Sequence, residues 1–240
     1  MRKTITLSVI FLMLVSIANA QSWGKKKIKG NGNITTETRN VGDYNGIKSA
    51  GSMDIILVYG KEGEIKIKGD SNLLEYIVTE VKNDNLIIKL KKGSKISYKK
   101  SIEITVPFES INKVSLAGSG DIVSRDVVKA DKLSVSVAGS GEIKLDIKTN
   151  YVVGAVAGSG EITLTGATNN LNAKVAGSGD FHGFGLQSDD TEVAVAGSGD
   201  AEVVSNKNLI ARVSGSGDIR YKGNPKKDAK VSGSGSIKSN

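Results

Sequence analysis

A six-residue motif, Ala-Gly-Ser-Gly-Asp/Glu-Ile, recurs through the second half of the chain and restricts the fold more than any other feature. It stands at Ala117–Ile122, Ala138–Ile143 and Ala157–Ile162, and with small changes at Ala176–Phe181, Ala196–Ala201, Ser214–Ile219 and Ser232–Ile237. Its first glycines, at 118, 139, 158, 177, 197, 215 and 233, are spaced by 21, 19, 19, 20, 18 and 18 residues. A unit of this length cannot bury a core alone, so successive copies must stack as the coils of a solenoid.

Each coil reads as β-structure. In Val135, Val137, Gly139, Gly141, Ile143, Leu145 and Ile147 every odd position is apolar or glycine, and Ser136, Ala138, Ser140, Glu142, Lys144 and Asp146 lie between. The same phase returns around Gly158 and Gly215. Alternation at period two means one buried and one solvated face. Both motif glycines then fall on the inward phase, with a corner at φ > 0 favoured over close backbone approach as their cause. About 19 residues at ~3.3 Å each give roughly 63 Å of chain per coil, enough for two or three short strands and their bends. The expected fold is therefore all-β, a parallel β-helix or β-solenoid of ~19-residue repeats, with the right-handed crossover usual for parallel strands.

In chain order, Arg2 and Lys3, the apolar run Ile5–Ile17 and Ala18-Asn19-Ala20 read as a secretory signal peptide over 1–20. No cysteine follows it, so neither disulfides nor an N-terminal lipidated cysteine are available, and no later segment is apolar enough for a transmembrane helix. Residues 21–32, with Lys25-Lys26-Lys27 and Lys29, read as a flexible leader. Residues 33–116 form a second β-rich half with strand patterns at Ile34–Arg39, Gly46–Ala50, Asp54–Val58, Glu64–Lys68, Ile77–Val81, Leu86–Leu90 and Ile102–Val106. Asn83-Asp84-Asn85 signals a hairpin, and Ser71–Glu75 one helical turn capped by Ser71. Gly51-Ser52-Met53-Asp54-Ile55 resembles a degenerate first copy of the motif, making this half continuous with the repeat half at 117–240. Asn169-Asn170, Asp189-Asp190, Asn206-Lys207-Asn208 and Gly223-Asn224-Pro225 read as turns between copies. Lys226, Lys227, Lys230 and Lys238 would blunt the edge of the last coil. Net charge is +8, and it is uneven: residues 21–115 carry 17 basic and 11 acidic side chains, residues 116–240 carry 14 of each.

The stretches Asn33–Lys48 (NITTETRNVGDYNGIK), Ser49–Val58 and Asn72–Leu90 (NLLEYIVTEVKNDNLIIKL), followed by the Gly-Ser-Gly-Asp/Glu series, resemble the bacterial family named "putative auto-transporter adhesin, head GIN domain". The resemblance spans essentially the whole chain after the signal segment. It implies an exported, envelope-exposed protein of parallel β-helix type and carries no site residues with it.

Stacking places equivalent residues ~4.8 Å apart, which builds outward columns. One is Ser119, Ser140, Ser159, Ser178, Ser198, Ser216 and Ser234, the candidate binding face. The next is acidic: Asp121, Glu142, Glu161, Asp180, Asp200 and Asp218, closed by Ser236. The column before is Ala117, Ala138, Ala157, Ala176, Ala196, Ser214 and Ser232. One reading has Ser and Asp bonding the backbone locally at each corner. The other is a flat stripe that binds a partner, or a ladder of uncompensated carboxylates that recruits cations such as Ca²⁺ or Lys. Calcium-binding β-rolls repeat every nine residues, which this chain does not. His182, the only histidine, lies beside Phe181 and Phe184 and reads as structural or exposed. One histidine and no cysteine leave no Cys/His dyad, zinc cluster or Ser/His/Asp triad. Aromatics are 5% of the chain, which argues against both sugar-stacking platforms and nucleic-acid binding. The expected role is non-catalytic and cofactor-free: surface or envelope binding of a protein or glycan. The alternatives are a passive or stress-linked envelope component and, third, a polysaccharide-acting enzyme.

Overall fold

The computed structural model describes residues 27–240; the signal segment 1–20 and residues 21–26 of the expected leader lie outside the described residues. The repeat half is a stack of parallel coils in one continuous sheet. Its corners align in a single column: Gly51 pairs with Gly118, and onward through Gly139, Gly158, Gly177, Gly197, Gly215 and Gly233. The degenerate copy at 51–55 is thus the first coil, with Gly46–Gly51 and Asp54–Tyr59 as its two strands. The middle strands are long, Glu142–Gly158, Glu161–Gly177 and Asp180–Gly197, each running from one corner to the next. Asn169-Asn170 and Asp189-Asp190, expected to be turns, instead lie inside these strands and keep register with their neighbours. Their amides and carboxylates bond along the stack, so the chain bends there without leaving the sheet. At Asn206-Lys207 and Gly223-Asn224 the strands do break.

The two motif glycines have different causes. The first is at positive φ in every copy, +109° to +131°, and is half-exposed or exposed at the corner. The inward placement expected for it is corrected by this: the corner turns it to the rim. The second glycine is at ordinary φ and is buried in every copy but the last. Close approach acts on both. A Cβ on Gly118 would stand 2.3 Å from the Gly51 carbonyl oxygen, and one on Gly120 2.2 Å from that of Met53. The corner carbonyl is also where the next coil docks: Gly158 O accepts the amides of Ser178 at 2.8 Å and Gly179 at 2.9 Å. A side chain would displace the atom that holds the coils together.

Inside the stack, apolar side chains form columns. Before the corner run Leu116, Val137, Val156, Val175, Val195 and Val213; after it run Ile55, Ile122, Ile143, Ile162, Phe181, Ala201 and Ile219, all buried. Phe181 is oversized for its column, and the sequence compensates on two sides. Ala201 is its register partner in the next coil, and a Cβ on Gly154 would come within 2.5 Å of the Phe181 ring. Keeping total volume constant preserves interior packing density. At the far corner, buried hydroxyls satisfy the bend: Thr149 Oγ1 donates to Thr168 Oγ1 at 2.9 Å, and Ser188 Oγ donates to the Asp190 carbonyl at 3.0 Å.

The N-terminal half caps the first coil. Asn85–Leu90 pairs in parallel with Gly46–Gly51, and Glu103–Phe108 with Asp54–Tyr59. Antiparallel partners cover these in turn: Ile77–Lys82 joins Asn85–Leu90 through Asn83-Asp84, both at positive φ, the expected hairpin. The helical turn falls at Leu74–Tyr76 as a 3-10 turn after Leu73, without a side-chain cap, so the Ser71 cap is corrected. Arg39 holds the turn's carbonyls from across the sheet, donating to the Leu74 carbonyl at 2.8 Å and the Ile77 carbonyl at 2.6 Å. Residues 27–32 of the expected flexible leader are anchored: Ile28–Lys29 pairs with Ile96–Ser97, and the Gly32 amide donates to Asp70 at 2.6 Å. At the other end, Lys226–Gly233 has one neighbouring strand, Asn208–Gly215, and its lysines 226, 227 and 230 are exposed.

Candidate functional site

The corner column builds the face on which the candidate residues lie. Ala117, Ala138, Ala157, Ala176 and Ala196 pair in register and are exposed, as are Ser119, Ser140, Ser159, Ser178, Ser198 and Ser216. The serine amides are used, each donating to the corner glycine carbonyl of the coil before at 2.8–3.0 Å. Among the described residues, none of these six hydroxyls bonds to another protein atom, so they present free donors and acceptors to solvent.

The acidic column behaves differently by length. Asp180 Oδ1 accepts the amide of Asp200, Asp200 Oδ1 that of Asp218, and Asp218 Oδ1 that of Ser236, each at 2.7–2.8 Å. Aspartate reaches the backbone of the next coil, so the local-bonding reading holds between coils rather than within one. Hydrogen bonding from Ser236 holds the Asp218 carboxyl below its ordinary range. Asp121 is pushed the other way, by desolvation first and then by the like charges of Asp54 and Glu142.

The acidic ladder is compensated in part, because the outward position two residues past each acid forms a second column. It reads Val123, Lys144, Thr163, His182, Glu202, Arg220 and Lys238, paired in register. Lys144 pairs with Glu142 at 2.7 Å, and Arg220 reaches Glu202 at 3.5 Å and Asp200 at 3.9 Å. His182, expected to be structural or exposed, is part-exposed and sits in this column between carboxylates: Nδ1 is 3.4 Å from Glu202 and Nε2 is 4.0 Å from Glu161. The arrangement was missed because the partners come from three coils; counting two residues beyond each motif acid would have found it.

On the other side of the alanine column lies one that gains bases in the later coils: Ser115, Ser136, Ala155, Lys174, Ala194, Arg212 and Lys230. Lys174, Arg212 and Lys230 rim a shallow groove of about 330 Å³ whose floor includes Ala176, Ala194 and Ala196. The corner is thus a small-residue strip with bases on one flank and acids on the other. Among the described residues, no helix is long and apolar enough to cross a membrane.

Stacked parallel coils with aligned glycine corners define a β-solenoid. The chain belongs to the family described as "Putative auto-transporter adhesin, head GIN domain", which matches residues 43–225. Three solved structures share the fold over about nine-tenths of the chain. A "putative adhesin" from Bacteroides fragilis is 24% identical with a TM-score of 0.83, covering 89% of this chain and 100% of its own. One from Parabacteroides distasonis is 26% identical with a TM-score of 0.74, covering 90% and 100%. A "putative lipid binding protein" from Parabacteroides distasonis is 29% identical with a TM-score of 0.75, covering 90% and 100%. Comparison with curated proteins finds no match.

Proposed function

We propose that the chain is a non-catalytic binding module of the cell surface or envelope, engaging an extended protein or glycan along the Ala–Ser corner strip. The observation that carries this is the strip itself. Exposed Ala and unbonded Ser hydroxyls repeat coil after coil with no bulky side chain in the columns. A flat, periodic surface suits a linear partner, since small ligands are held in concave pockets. Membership of an adhesin-named family supports the same reading.

The test is an array of matrix proteins and glycans probed with the purified chain. The expected result is a ligand whose attachment falls with salt and is lost when Ala157, Ala176 and Ala196 are changed together to Arg, with circular dichroism unchanged. An array without binding favours a passive envelope component, and glycan cleavage would favour an enzyme.

A second reading rests on the groove beside the strip. An apolar floor rimmed by Lys174 and Lys230, with Arg212 paired to Asp228 at 2.6 Å, fits an anionic amphiphile, and one structural relative carries a lipid-binding name. Binding to anionic but not zwitterionic vesicles, lost in Lys174→Ser/Lys230→Ser, would select it.

A further inference from the structure

Along the acidic column, two carboxylates have a fixed cation within ion-pair distance and one has an imidazole. Glu142 has Lys144, and Asp200 and Glu202 share Arg220. Glu161 and Asp180 face each other in register, and like charges directly opposite are unfavourable. Among the described residues, no Lys or Arg lies within ion-pair distance of either; the base in reach is His182. One oxygen of Glu161, one of Asp180 and one ring nitrogen of His182 all lie within 4.8 Å of one another. Ligands around a tetrahedral zinc ion sit about 3.3–3.5 Å apart, given ~2.0–2.2 Å bonds. These side chains lie at the surface, so closing that gap needs rotamer adjustment and no backbone movement. Asp180 spends Oδ1 on the Asp200 amide and keeps Oδ2.

We propose that Glu161, Asp180 and His182 bind one divalent transition-metal ion, of the Zn²⁺ class, on the outer face of the solenoid. The imidazole excludes the all-oxygen preference of Ca²⁺ and Mg²⁺ and matches that of zinc. The second ring nitrogen supports the assignment. Metal-bound histidines usually give their other N–H to a carboxylate, which fixes tautomer and orientation. His182 places Nδ1 at 3.4 Å from Glu202, leaving Nε2 toward Glu161. Glu202 is itself held by Arg220 at 3.5 Å, so it is a positioning residue and not a fourth ligand. Three protein ligands leave one coordination position open, at an exposed site where a carboxylate or imidazole of a bound partner could complete it. The rival account is that His182 links Glu161 and Glu202 without metal.

The experiment is calorimetric titration of EDTA-stripped chain with ZnCl₂ at pH 7.5, with thermal melts in parallel and Co²⁺ as a spectroscopic probe. The expected result is one Zn²⁺ per chain, a rise in Tm with Zn²⁺, and visible absorption from bound Co²⁺. His182→Gln, Glu161→Gln and Asp180→Asn each lose binding by more than about 10-fold, while Glu202→Gln, acting through the histidine, weakens it about 10-fold. Asp180→Asn keeps an oxygen acceptor for the Asp200 amide, so its fold is preserved and its loss of metal is interpretable. Asp131→Asn, at the far corner, leaves binding unchanged. Absence of saturable Zn²⁺ binding overturns the proposal, as does binding that survives His182→Gln. Equal binding of Ca²⁺ also overturns it, in favour of an all-oxygen ladder. This site stands or falls independently of what the Ala–Ser strip binds.

Discussion

Replacing Gly177 by alanine tests the account of the corner most directly. Gly177 has φ +119°, and an added Cβ would lie 2.4 Å from the Gly158 carbonyl oxygen. That is about 1 Å inside the ordinary contact distance of ~3.5 Å. Two costs follow. Holding a side chain in a glycine-only backbone region costs about 1–3 kcal/mol. Relieving the overlap moves the Gly158 carbonyl away from the amides of Ser178 and Gly179, now at 2.8 and 2.9 Å, and each weakened bond costs about 1 kcal/mol. The total is about 3–5 kcal/mol, or roughly 6–20 °C in Tm for a chain of this size. Differential scanning calorimetry on Gly177→Ala, Gly179→Ala and Ser178→Ala separates the terms. Gly179 has ordinary φ but a Cβ position 2.2 Å from the Gly160 carbonyl oxygen, so it reports overlap alone. Ser178→Ala changes an exposed, unbonded hydroxyl and should stay within about 0.5 kcal/mol. Indistinguishable melts for Gly177→Ala and Ser178→Ala would refute both the corner and the close-approach arguments.

Other expectations follow from side chains at the ends and edges. Asp218 is held below the ordinary carboxyl range, so its stabilising contribution is present above the unfolded value near 3.8 and is lost as pH falls through its lowered folded value. Asp121 is raised, so its sign is opposite: its contribution is complete below that unfolded value and is lost as pH rises through the folded one. At pH 7, Asp218→Asn should therefore lower Tm and Asp121→Asn should raise it, with both differences vanishing in melts at strongly acidic pH. Thr168→Val removes the donor to the Asn170 carbonyl and the acceptor of the Thr149 hydroxyl, and urea unfolding should show a loss of about 1–3 kcal/mol. Arg39→Ala strips the Leu74 and Ile77 carbonyls of their shared donor and should cost about 2–4 kcal/mol. Arg39→Lys should not restore it, because an ammonium lacks the planar fork.

Much of the fold was legible because the motif repeats with little change. Aligning copies on Gly118, Gly139 and Gly158 gives the register seen in the sheet, and the alternation through Val135–Ile147 names the buried column. Phase alone could not tell that the first glycine rides the rim while the second is buried, since both occupy odd positions. The difference lies in a backbone bend that side-chain periodicity does not encode. Polar residues misled where they bond along the stack. Asn169-Asn170 reads as a turn, but Asn169 donates to Asn150 Oδ1 at 3.0 Å and Asn170 to the Asn150 carbonyl at 3.4 Å, within continuous strands. The Glu161–Asp180–His182 group was hidden for a related reason: the motif draws the eye to each acid, whereas the imidazole belongs to the column two residues further on. The tie of residues 27–32 to Asp70 and Ser97 carries no local pattern at all.

The uneven spacing of the repeats has a meaning for how such a chain can change length. Steps between corners range from 18 to 21 residues, yet every corner glycine stays in register with the next. The differences in length are absorbed away from the corner, as in the shift between Thr163 and Thr165 and in the breaks before Val128 and Asn208. Single-residue insertions and deletions are therefore admissible on the far side and inadmissible within Gly-Ser-Gly, where the first glycine's carbonyl is already committed to the coil above. Whole coils can be duplicated or lost in either case, because each presents the same docking edge it receives. The molecule is in effect a ruler graduated in steps of ~4.8 Å, with its cap at the Asn85–Leu90 end.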